Sequence, residues 1–114
     1  TISNPHDYVG LFGSNGGVIK DITLSSVNIN VVAELNQSIA AGSLTGLNMG
    51  EIQQINTLSG SVALDTRADN IGYLGGIIGY NDSINPIYDL SNNLLVTGTE
   101  YIYSGGVIGY ITMI

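Results

Sequence analysis

Apolar residues alternate with small or polar ones along much of the chain, as in Val27-Asn28-Ile29-Asn30-Val31 and Val62-Ala63-Leu64-Asp65. Successive side chains of a strand point to opposite faces, so a period of two predicts half-buried strands. Helix competes poorly, because Gly, Asn, Ser, Thr and β-branched residues dominate and each is disfavoured in a helix interior. One stretch is open to two readings: Ala33-Glu34-Leu35-Asn36-Gln37-Ser38-Ile39-Ala40-Ala41 fits a turn or two of helix or an irregular crossover between strands. The equivalent stretch further on, Thr66 to Gly72, reads as a polar loop.

The pattern recurs at long range. Gly10-Leu11-Phe12-Gly13-Ser14-Asn15 returns as Ser43-Leu44-Thr45-Gly46-Leu47-Asn48, as Gly76-Ile77-Ile78-Gly79-Tyr80-Asn81, and as Gly106-Val107-Ile108-Gly109-Tyr110. The second glycine stands at 13, 46, 79 and 109, giving spacings of 33, 33 and 30 residues. Past the glycines the match continues, with Gly17-Val18-Ile19-Lys20-Asp21-Ile22 lying over Gly50-Glu51-Ile52-Gln53-Gln54-Ile55. Such a period marks units that bury their apolar faces only by stacking on neighbours. The expected fold is therefore all-β, a β-solenoid-like or stacked-sheet array with a Gly-rich repeat of 30–33 residues. A chain of 114 residues makes one domain, divided into repeats 9–41, 42–74, 75–104 and a partial 105–114.

Each unit reads as strand, turn, strand, turn, strand. Asn15-Gly16-Gly17 is expected to reach positive φ in a tight hairpin turn, with Asn48-Met49-Gly50 and Asn81-Asp82-Ser83 in the same place with weaker turn chemistry. The repeated glycines Gly10, Gly13, Gly46, Gly76, Gly79, Gly106 and Gly109 have two readings. Either neighbouring backbones come too close there for a side chain, or the glycines are plain bends.

These segments resemble the GLUG motif, a bacterial repeat in which a Gly-apolar-apolar-Gly core precedes an Asn- or Gly-containing turn and a strand. Gly10 to Asn15, Gly76 to Asn81 and Gly106 to Tyr110 match it, whereas Ser43 to Asn48 carries Ser and Thr where Gly and an apolar residue are usual. The resemblance implies a non-catalytic scaffold or adhesive stalk in a secreted or cell-surface protein, and it transfers no catalytic residue. The implied partner is a protein or glycan on a surface, or further copies of the chain.

Composition narrows the alternatives. Nine acidic residues face only Lys20 and Arg67, for a net charge of −7. Nucleic acid is excluded as a partner, since binding it requires several cations to displace phosphate counterions. Docking on an anionic membrane surface is disfavoured for the same reason, and no run approaches the roughly 20 apolar residues of a membrane helix. Without cysteine, stability rests on packing and backbone hydrogen bonds. The terminal stretch from Gly105 to Ile114 reads as an apolar strand opening a further repeat. It predicts either a longer array or head-to-tail assembly through strand donation into a fibre.

No residue set announces catalysis. His6 is the sole histidine and reads as a solvated loop residue, with no activated nucleophile to serve. No cofactor is expected, and calcium would be sought first at Asp82 and Asp89, among Asn- and Asp-bearing turns that follow no known calcium-loop spacing. A glycosidase would need two carboxyls facing one cleft, which the strand pattern does not indicate. Seven tyrosines suit either cross-strand packing or the binding of sugars and proteins. Tyr101 and Tyr103 share one face of a strand and form the candidate binding surface, while Tyr80 and Tyr110 occupy the same repeat position and are expected to stack. The sequon triplets at Asn36 and Asn81 are of a kind that arises by chance in so Asn- and Ser-rich a chain.

Overall fold

The computed structural model describes residues 6–32, 38–65, 71–99 and 102–112. Its first coil holds β1 (His6–Val9), β2 (Phe12–Asn15), β3 (Val18–Leu24) and β4 (Val27–Val32). The second holds β5 (Ser38–Ala41), β6 (Thr45–Asn48), β7 (Glu51–Thr57) and β8 (Gly60–Asp65). The third holds β9 (Gly72–Gly75), β10 (Ile78–Asn81), β11 (Ile87–Asn92) and β12 (Leu95–Gly98), and β13 (Ile102–Gly105) and β14 (Ile108–Ile111) begin a fourth. Equivalent strands of successive coils pair in parallel, giving sheet I (β1-β5-β9-β13), sheet II (β2-β6-β10-β14), sheet III (β3-β7-β11) and sheet IV (β4-β8-β12). This is a parallel β-solenoid, with no helix among the described residues.

Two expectations about the unit change. A unit contains four strands rather than three, and no hairpin forms at Asn15-Gly16-Gly17: the chain turns there from sheet II into sheet III. The positive φ expected at this turn lies elsewhere, at Ser26, at Gly60, and at Asp21, Gln54 and Asp89. The last three occupy one column of sheet III, with φ of 59°, 57° and 58°. Each bends its strand so that the apolar positions on either side are three apart and both turn to the core, Ile52 and Ile55 fully buried and Ile22, Ile87 and Leu90 partly so. Of the stretch 33–41, Ser38–Ala41 is strand β5 rather than helix, and 33–37 lie outside the described residues; of the predicted loop 66–72, Gly72 opens β9 and 66–70 are likewise outside. His6 begins β1 rather than lying in a loop.

Two apolar cores fill the coil. Val31, Ile39, Ala41, Val62, Leu64, Leu74 and Leu94 pack between sheets I and IV. Ile19, Leu44, Ile52, Ile55, Ile77 and Ile78 join sheets II and III with the corner that follows sheet I. In-register stacking at about 4.8 Å per rung puts like on like, so a repeat with one apolar side chain at a core position supplies a continuous apolar column.

The sharp corner between sheets I and II decides between the two glycine readings. A Cβ on Gly46 would stand 2.5 Å from both the Ala40 carbonyl oxygen and the Val9 nitrogen, and one on Gly79 would stand 2.5 Å from the Ala41 nitrogen. Gly109, Gly10 and Gly76 are similarly hemmed in, at 2.6 Å from the Gly79 oxygen, 2.8 Å from the Thr45 Cα and 2.3 Å from the Gly106 oxygen. Backbone approach therefore explains these five. Gly106, with nothing within 4 Å, is a bend, whereas Gly13 lies inside β2, where a Cβ would meet the Tyr8 oxygen tightly at 3.3 Å.

Candidate functional site

The corner between sheets II and III is closed by a buried polar ladder. Asn15 donates from Nδ2 to the Asn48 Oδ1 (2.9 Å), and Asn48 donates in turn to the Asn81 Oδ1 (2.8 Å). Each turn is also folded onto its own asparagine: the Gly17 and Gly50 amides donate to the Oδ1 of Asn15 and Asn48 at 3.0 and 3.1 Å, and the two Nδ2 groups donate to the Gly17 and Gly50 carbonyls. All three asparagines are buried, which places the Asn81 sequon side chain inside the protein; Asn36 lies outside the described residues. These residues hold successive coils in register.

The outward chemistry lies where sheets I and II adjoin. In-register pairing aligns Tyr8, Ala40, Tyr73 and Tyr103 on sheet I, and Ser14, Leu47, Tyr80 and Tyr110 on sheet II. Four of these tyrosines form one cluster. Tyr73 and Tyr103 stack at 5.6 Å between centroids and 10° between planes, Tyr73 meets Tyr80 edge-on at 4.8 Å, and Tyr80 lies 5.2 Å from Tyr110 at 31°. The Thr112 hydroxyl donates to the Tyr80 phenol at 2.7 Å. Burial pushes the Tyr73 phenol above its ordinary value, and the neighbouring Tyr80, Tyr103 and Tyr110 add to the rise because their phenolates would repel a charge on it.

The column is interrupted at Ala40. A methyl group stands where the coils on either side carry tyrosine, and beside it opens a groove of about 380 Å³. Tyr8, Tyr73 and Tyr80 supply its aromatic walls and Leu47 and Ala40 its apolar surface; among the described residues Asp82 is its one carboxylate and no lining side chain is cationic. Its volume is that of a small-ligand site, and its few polar groups sit among apolar and aromatic ones as such sites require.

Of the residues singled out from sequence, Tyr103 joins the tyrosine cluster, and Tyr101 lies outside the described residues. Asp82 and Asp89 are not brought together: Asp82 lines the groove, whereas Asp89 sits exposed in the bend of β11 and does not. Among the described residues no three His, Asp or Glu side chains gather as a metal site would need. The groove itself was legible only by aligning the sheet I column, where Ala40 breaks a run of tyrosines. No family model, curated protein or solved structure matches the chain.

Proposed function

We propose that this chain is a non-catalytic structural and adhesive module of a secreted or cell-surface protein, a length of solenoid that displays the tyrosine-lined groove to a partner. One observation carries the reading: core, corners and polar ladder repeat coil on coil, while the groove arises at the position where the tyrosine column breaks its own pattern. A repeated interior preserves a stack; a local departure on the surface creates a place of its own for a ligand. The resemblance of the Gly-apolar-apolar-Gly segments to GLUG repeats supports the same role.

Beads coated with the folded chain test it under flow, over surfaces bearing matrix proteins, glycans or the chain itself. Retention on a protein or glycan surface, lost after denaturation, is the expected result. Retention confined to the chain-coated surface would assign the function to self-assembly into a fibre, and retention on none would leave a scaffold without adhesion.

A further inference from the structure

From the groove at Ala40 we infer a ligand class: it takes the guanidinium of an arginine side chain carried by a basic partner polypeptide. The inference deepens the adhesive reading above and rests on it. Tyr8 and Tyr73 stand one rung to either side of Ala40. The two tyrosines therefore flank the level of Ala40, each on a rung about 4.8 Å away along the stack, and an aromatic face attracts a cation held within roughly 6 Å of its centre. Among the described residues Tyr8 makes none of the ring contacts that occupy the other groove tyrosines, and it is 45% exposed, which leaves its ring accessible to a ligand.

Charge selects among the groups that fit between aromatic walls. Among the described residues Asp82 is the groove's one carboxylate and no cationic side chain lines it, and the whole chain carries a net charge of −7. An anionic ligand is repelled, and a neutral sugar gains nothing from the surrounding field. A cation gains from the carboxylate, from the ring faces and from long-range attraction as it approaches. Arginine suits the place better than lysine because its planar guanidinium both stacks on aromatic rings and bonds a carboxylate through two N–H groups.

Titration of the isotopically labelled chain with acetyl-Gly-Gly-Arg-Gly-amide, followed by NMR, tests the assignment against the same peptide with citrulline, which is planar and nearly isosteric but uncharged. The arginine peptide is expected to shift the Ala40, Leu47 and Asp82 amide signals saturably, and the citrulline peptide to bind about tenfold more weakly or worse. Asp82→Asn should lower affinity by about tenfold. Ala40→Tyr should complete the tyrosine column, keep a dispersed folded spectrum and lose the response. Equal binding of the citrulline peptide, an undiminished response in Ala40→Tyr, or no response to arginine would overturn the proposal. So would saturable shifts produced by cellotetraose in its place, which would make the groove a sugar site. Peptide binding without bead retention sinks the adhesive reading alone, whereas bead retention with no peptide response sinks the arginine assignment alone.

Discussion

Asn48 carries two tasks with one side chain: it closes its own turn through the Gly50 amide and carbonyl, and it links the coils on both sides through Asn15 and Asn81. An amide suits this place because it offers a donor and an acceptor at once, so each asparagine can accept from one neighbour and donate to the next. Asn48→Leu keeps much of the volume but strands the Gly50 amide, the Asn15 N–H that it accepts from and the Asn81 Oδ1 in a buried setting. A loss of about 3 kcal/mol is expected from these unpaired groups, read as a lower denaturant midpoint at unchanged slope. Tyr73 gives a pH test. Its phenol titrates higher in the folded chain than in the unfolded one, because burial and the adjoining tyrosines disfavour the phenolate. The contribution is intact below the unfolded value near pH 10 and is lost as pH rises through the folded value, where the unfolded chain has already released its proton. Tyr73→Phe should therefore flatten the fall in stability above about pH 10, and thermal melts at neutral and alkaline pH would show whether it does.

At the scale of elements, the corner between sheets I and II depends on backbones in contact. Gly46→Ala forces a Cβ against the Ala40 oxygen and Val9 nitrogen, neither of which can move without shifting a strand. It should cost about 3 kcal/mol or more. Gly16, at the next corner, has nothing within 4 Å of its would-be Cβ, and Gly16→Ala should change stability by no more than about 0.5 kcal/mol. Equal effects of the two substitutions on the denaturation midpoint would show that crowding does not govern the corner. Sequence reading reached the strands, the repeat length and the stacking of Tyr80 on Tyr110, because periodicity and equivalence lie in the order of residues. It took Asn15-Gly16-Gly17 for a hairpin, since a tight turn between short strands carries the same residues whether the chain returns to its own sheet or enters the next. The bend at Asp21, Gln54 and Asp89 also left a mark: Ile19 and Ile22, Ile52 and Ile55, and Ile87 and Leu90 are three apart where a straight strand has two or four. The groove left only the substitution at Ala40, whose meaning depends on the register that places it between Tyr8 and Tyr73.

For the whole molecule, stacking in register explains why so few residues are charged. Identical positions recur every 4.8 Å or so, and two like charges at that spacing repel by about 0.9 kcal/mol even at the dielectric constant of water. Each charged column would multiply that penalty along the stack, whereas Asn, Ser and Thr hydrate the surface and bond across rungs without it. The sheet III bend shows the constraint directly, since Asp21, Gln54 and Asp89 follow one another in one column and the amide separates the two carboxylates. Gln54→Asp would set three carboxylates on successive rungs, and Gln54→Asn supplies a neutral control that tolerates the same positive φ. Relative to Gln54→Asn, the aspartate variant should lose about 1–2 kcal/mol at low ionic strength, from two new neighbour repulsions. Screening weakens such repulsion between exposed charges as salt rises to about 0.5 M, so added salt should bring the two variants together. Denaturation of the pair across a salt series measures this directly. A gap that persists in high salt would mean that the bend selects against aspartate by its shape, and that the scarcity of charge has a cause other than repulsion between rungs.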